Sequence, residues 1–162
     1  MREATTGRAR QLVLKAGAVP LNPYQQYRAT KVETAGSVDL VVMLYQGAVR
    51  FIRLGIEAMA RDDSQTAHTN LVRAQDIVVE LLGSLNREAG GQIADQLASV
   101  YDYCFRRLVT ANVKKDPEPA REVVGILRDL GTAWQEIAAQ QRQAQSQGKA
   151  AAFSSAPIAR AV

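Results

Sequence analysis

Ser37-Val-Asp-Leu-Val-Val-Met-Leu-Tyr-Gln-Gly-Ala-Val-Arg-Phe-Ile-Arg-Leu-Gly-Ile-Glu-Ala-Met-Ala-Arg61 decides the fold. Val41, Leu44 or Tyr45, Ala48, Ile52, Gly55 and Met59 recur at i, i+3/i+4 and form one stripe. Val38, Val42, Tyr45, Val49 and Ile56 form a second beside it. That period predicts a helix, and two adjoining stripes give it more apolar surface than one packed face needs. Ser37 is the expected cap, with Asp39 in the first turn where the helix dipole favours an acid. Asp62-Asp63-Ser64 ends the segment.

Three more segments follow on the C-terminal side. Gln65 to Leu85 carries Leu71, Ala74, Ile77 or Val78, Leu81 and Leu85 inward, with Arg73, Asp76 and Glu80 on the other face. Asn86 to Gly91 reads as a loop, where Gly90-Gly91 permits a sharp reversal. Gln92 to Lys114 carries Ile93, Leu97, Tyr101, Cys104 or Phe105, and Leu108 inward. Asp116-Pro117-Glu118 is a start signal made of a cap, a proline suited to the first helical position, and an acid. The fourth helix is expected to run to about Gln140, with Val123 or Val124, Leu127, Leu130, Trp134 and Ile137 inward. No alternating β-branched run is present, so no strand is assigned. Four long amphipathic segments with short links predict an all-α, antiparallel up-down four-helix bundle. The expected layout is a disordered N-terminal extension over 1–21, the bundle over 22–140 and a disordered tail over 141–162, rich in Ala, Gln and Ser.

Composition narrows the function. The 162-residue chain carries a formal net charge of +4, which by itself suggests a polyanionic partner. The excess sits at the ends. Arg2, Arg8, Arg10 and Lys15 face only Glu3 in residues 1–21, and Arg142, Lys149 and Arg160 face no acid in 141–162. The middle is slightly acidic, and its clusters Arg106-Arg107 and Lys114-Lys115 are diluted by Asp102, Asp116 and Glu118. Nucleic-acid binding is therefore not expected. One cysteine, Cys104, allows no internal disulfide and fits a reducing compartment. One histidine, His68, allows no multi-histidine metal site. Lys15 interrupts the only candidate signal core, and no apolar run reaches the roughly 18–20 residues of a membrane span. Phosphate-binding glycine loops and Glu-x-x-His pairs are absent. His68 reads as a surface residue and Cys104 as an inert core thiol. The expectation is a cytosolic protein that is not an enzyme, with no cofactor, metal or membrane insertion.

What remains is surplus apolar and tyrosine surface. The five tyrosines are Tyr24, Tyr27, Tyr45, Tyr101 and Tyr103. Tyr101 and Tyr103 lie two apart on one helix and cannot both face one core. Tyrosine suits surfaces that are dry at one end and wet at the other, as at an interface, or simply at a bundle edge.

At this point the residues become specific. Asn22-Pro23-Tyr24 with Tyr27, then Thr34-Ala35, Leu40, Met43-Leu44-Tyr45 and Gly47-Ala48 come in order. Arg73-Ala74-Gln75-Asp76-Ile77, Glu80-Leu81 and Ser84-Leu85 follow. Gly90-Gly91 with Ile93-Ala94 and Leu97, Tyr101-Asp102-Tyr103, Arg107-Leu108, Ala111-Asn112, Asp116-Pro117, Glu122-Val123, Leu127 and Trp134 complete the series. In that order and spacing, over roughly 22–140, the chain resembles the flagellin-specific export chaperones, the FliS family. It departs from the family at Ala35-Gly36-Ser37, where Ala-Ser-Pro is common, and at Gln46, where an acid is usual. The first 20 residues precede the family's usual start, and Leu21 read from a non-AUG codon would make them an extension outside the product.

The resemblance implies a cytosolic chaperone that binds the disordered C-terminal segment of flagellin. It implies that capture prevents premature polymerisation and keeps flagellin competent for flagellar type III secretion. It also implies an export-gate component as a further partner. Candidate groove walls at matching positions are Leu44, Tyr45, Ile77, Leu81, Tyr101, Tyr103 and Leu108, with Tyr24 and Tyr27 on a segment lying over a groove. Core and groove share one apolar stripe, so sequence does not divide these positions. The alternative is a generic helical adaptor or scaffold bundle for another amphipathic partner.

Overall fold

The computed structural model describes residues 37–154, which form four helices: α1, Ser37–Ala60; α2, Ser64–Gly83; α3, Arg87–Lys114; α4, Pro117–Ser154. Links of two or three residues force successive helices to run antiparallel. α1 packs on α2 and α4, and α3 packs on the same two, so the helices close a four-membered ring in chain order. The expected up-down bundle is the observed one.

Local chemistry sets the ends. Asp63 caps α2 by accepting a hydrogen bond from the Thr66 amide at 3.1 Å, which holds its carboxyl below the ordinary value. Asn86 caps α3 by accepting from the Ala89 amide at 3.1 Å. Asp116 Oδ1 accepts from the Glu118 amide at 3.0 Å, directly ahead of Pro117 as the start signal predicts. Lys115 closes α3 in the left-handed region, at φ 50°.

The core joins all four helices. Leu44, Tyr45, Ala48 and Ile52 come from α1, and Leu71, Ala74, Ile77, Val78 and Leu81 from α2. Tyr101, Cys104, Leu108 and Ala111 come from α3, and Val123 and Leu127 from α4. Burying each Leu or Ile here stabilises the fold by about 1.5–3 kcal/mol. At the outer edge of the α2–α3 seam, Asn112 Nδ2 donates to His68 Nδ1 at 2.9 Å, while Lys115 Nζ donates to Asn112 Oδ1 at 2.7 Å. His68 is an exposed residue, as expected.

Three helix details differ from the sequence expectation. α3 begins at Arg87 inside the expected loop, but it breaks at Gly91, whose φ of 51° and ψ of −127° no helix contains. Its inward register uses Ala94 and Ala98, leaving Ile93 70% exposed. Counting back from Tyr101 by three and four reaches those alanines, and Ile93 lies about 100° around the helix from Ala94. By the same drift, Ala138 is buried on α4 while Ile137 is exposed. Finally, α4 does not stop near Gln140. It continues to Ser154, although every side chain from Ala139 to Ala151 is exposed. Ala, Gln and Lys are strong helix formers, so this stretch extends the helix without an apolar face.

Candidate functional site

α1 has two apolar stripes but only one deep core to fill. The first stripe turns Ala48 and Ile52 inward, both fully buried. The second faces α4, and there the two helices leave an open groove of about 520 Å³. Tyr45, Val49, Leu54, Leu127 and Gly131 supply its apolar surface. Gln46, Arg50, Arg53 and Glu57 of α1, and Arg128, Thr132 and Gln135 of α4, also line it. A second hollow of about 320 Å³ shares Arg53 and Glu57 and adds Ile56, Arg121 and Val124. The hollows therefore follow one seam. Gln46 to Glu57 spans about 16 Å along the α1 axis, or roughly three helical turns.

Gly131 brings the α4 backbone close to α1 at the groove. A Cβ placed there would stand 3.4 Å from Tyr45 Cβ, so the Tyr45 side chain packs directly against the α4 backbone. Tyr45 then runs inward, and its hydroxyl meets that of Tyr101 across the bundle diagonal. The two ring centroids are 6.2 Å apart. Burial raises the Tyr45 phenol far above its ordinary value, and the Tyr101 hydroxyl adds to the effect. Burial also raises Tyr101, opposed by its hydrogen bond with Tyr45. Both phenols are neutral at pH 7 and share a hydrogen bond within the core, where Trp134 also bonds to Tyr45. Neighbouring Cys104 is fully buried, and desolvation pushes its thiol up to about 11, so it is not an activated nucleophile.

The candidate wall residues fall into separate groups. Leu44, Ile77, Leu81, Tyr101 and Leu108 are buried core residues, each at most 4% exposed. Tyr45 is equally buried yet also lines the groove. Tyr103 lies elsewhere, on the α3–α4 seam, 42% exposed and donating its hydroxyl hydrogen to Glu122. Arg107 holds the same carboxylate from the other side, with Nε 2.8 Å from Oε2. Tyr103 and then Arg107 lower the Glu122 carboxyl, while Glu122 raises the Tyr103 phenol. Tyr24 and Tyr27 lie outside the described residues.

Sequence reasoning missed Val49, Leu54, Leu127 and Gly131 as groove residues. The second stripe on α1 was the available signal, since Val49 and Ile56 belong to it. Among the described residues no three His, Cys, Asp or Glu side chains gather as a metal site would require, and no helix is long and apolar enough to cross a membrane. The arrangement is suited to binding an elongated apolar segment.

Comparison with known proteins adds four findings. The family model described as flagellar protein FliS matches residues 20–141. The flagellar secretion chaperone FliS of Bacillus subtilis is 38% identical over 122 residues, covering 75% of this chain and 90% of that protein. Its counterpart in Vibrio cholerae is 32% identical over 117 residues, covering 70% of this chain and 86% of that protein. In fold, the chain is similar to a bacterial flagellar chaperone of known crystal structure. The TM-score is 0.61 at 20% identity, over 72% of this chain and 95% of the other.

Proposed function

Because the chain belongs to the FliS family of flagellar proteins, we propose that it is a cytosolic flagellar secretion chaperone whose client is flagellin. It takes the C-terminal segment of flagellin, keeps it from polymerising and passes it to the type III export machinery. An export-gate component is the second partner in this reading. The observation that carries it is the open α1–α4 groove, whose apolar lining extends along about three turns of α1. A segment that becomes helical on binding can lay one face into such a groove. Ordering the segment forfeits part of the gross interaction energy, which favours later release. The role needs no catalytic step and no nucleotide. Tyr24 and Tyr27 are assigned to partner contact by their motif positions, and Tyr103 by its exposure on the α3–α4 seam.

Trp134 is the sole tryptophan and stands one turn from Gly131 on α4. Titrating the protein with a peptide of the flagellin C-terminal segment is expected to give a saturable change in its fluorescence. No binding at high micromolar peptide, by fluorescence and by calorimetry, overturns the reading. A Tyr103→Ala protein that stays folded and binds flagellin with unchanged affinity removes Tyr103 from the contact surface.

A further inference from the structure

We propose that the α1–α4 groove selects a helical segment whose apolar face is flanked by carboxylates. This deepens the reading above and rests on it for the premise that the groove binds protein. The observation is where arginines stand unpaired. Arg106 pairs with Asp102, Arg107 with Glu122, Arg142 with Asp39 and Arg121, at the second hollow, with Glu118. Arg73 lies over the Phe51 ring, and Arg61 and Arg87, beside the helix links, form no ion pair among the described residues but stand apart from each other. Arg50, Arg53 and Arg128 line the groove, are exposed, and form no ion pair among the described residues. Among the described residues, Glu57 is the one acid in the lining of either hollow.

The geometry gives those charges a use. Arg50 and Arg53 are three apart and share one face of α1, while Arg128 approaches from α4. They therefore flank the apolar strip from both sides. A guanidinium offers a fixed fork of donors that matches a carboxylate in two parallel hydrogen bonds. Each exposed pair contributes little alone. Three beside a shared apolar contact distinguish acidic from basic flanks and speed encounter with an acidic partner.

The same charges disfavour the other occupants. Segments 1–36 and 155–162 of this chain together hold seven basic side chains against two acidic ones. They would meet the arginines with charge of the same sign. A second copy docking groove to groove would set arginine against arginine. A single-stranded nucleic acid would satisfy the guanidiniums and leave Val49, Leu54 and Leu127 without an apolar partner.

The test uses the full chain and two labelled synthetic helical peptides of about three to four turns, long enough to fill the groove. Both carry the same leucine stripe, flanked by glutamates in one and by lysines in its twin. By fluorescence anisotropy at low salt, the glutamate peptide is expected to bind about tenfold tighter, with the gap shrinking as salt screens the pairs. Arg50→Gln/Arg53→Gln/Arg128→Gln should bring the two affinities together, and the triple change to Glu should invert them. Circular dichroism establishes that each variant is folded. Equal binding of the twins, or a preference unchanged in folded variants, overturns the proposal. So does displacement of the glutamate peptide by a peptide of residues 1–36, or tighter binding of an oligothymidylate. Self-association that competes with the peptide likewise overturns it, assigning the groove to a second copy. A flagellin peptide that fails to bind while the glutamate peptide binds removes flagellin and leaves the groove's selectivity standing. A flagellin peptide bound equally by wild type and the triple Glu variant does the reverse.

Discussion

α1 meets its two neighbours through seams that use glycine in opposite ways. On the α2 side, a Cβ at Gly55 would stand 3.0 Å from Leu71 Cγ and 3.1 Å from Leu71 Cδ2. The missing side chain is replaced by a neighbour, and the seam is sealed. On the α4 side, Gly131 admits the Tyr45 ring at depth, and the outer half of the seam is open as the groove. A bundle made of similar amphipathic helices thus seals one face of α1 and leaves the other open along a groove, the face the proposed function uses. The difference lies in which residue answers the glycine. Leu71 belongs wholly to the core, whereas Tyr45, which meets Gly131, also lines the groove, and Arg128 and Thr132 of α4 line it with polar groups.

The sharpest way to break this contrast is Leu71→Ala. It leaves a cavity beside Gly55 and is expected to lower unfolding stability by about 2–5 kcal/mol in denaturant titration, with groove binding intact below the transition. Tyr45→Phe tests the depth of the other seam. It strands the buried Tyr101 hydroxyl and should lower stability by about 1–3 kcal/mol, while Tyr45→Phe/Tyr101→Phe should recover much of the loss. A double-mutant cycle reads the coupling directly. The paired substitutions Gly55→Ala and Gly131→Ala sharpen the comparison further. At Gly55 the new methyl presses on Leu71 and is expected to outweigh the gain in helix propensity. At Gly131 the contact is looser, and thermal unfolding should show a change between zero and about 1 kcal/mol of stabilisation. The smallest effect belongs to acid. Glu122 titrates below its ordinary value when folded, so its contribution is complete above the unfolded-state value and is lost as pH falls through the folded one. The melting-temperature gap between wild type and Tyr103→Phe should therefore be present at neutral pH and close in acid.

The four helices were legible because their apolar period and their caps agree. Asp63 and Asp116 each stand next to a helix start that the pattern also marks, whereas Asn86 caps α3 at the edge of a stretch that reads as a loop. Register was legible only where large side chains fixed it. Ile93 misleads because alanine is small enough to serve as a core residue wherever helices approach closely, and hydrophobicity ranks Ile93 above Ala94. The groove was half legible. The second stripe on α1 announced surplus surface, but the groove is bounded by Tyr45 and Gly131, which meet across the seam while standing 86 positions apart in the chain. For the same reason sequence did not divide the apolar candidates. Leu44, Ile77, Leu81 and Leu108 share the period of groove residues, and only the partner across each seam distinguishes them.

The last turns of α4 have a consequence of their own. Arg142 pairs with Asp39 in the first turn of α1, and twelve helical residues follow that pair. Their side chains are exposed through Ala151, so the helix there draws on backbone hydrogen bonds and intrinsic propensity alone. Such a stretch obeys helix–coil statistics, with a shallow dependence on temperature, and the bundle melts in one cooperative step. Far-UV ellipticity should therefore decline gradually before the main transition while Trp134 fluorescence holds steady. The protein joins a two-state solid to a one-dimensional chain, and a single melting temperature describes only the first.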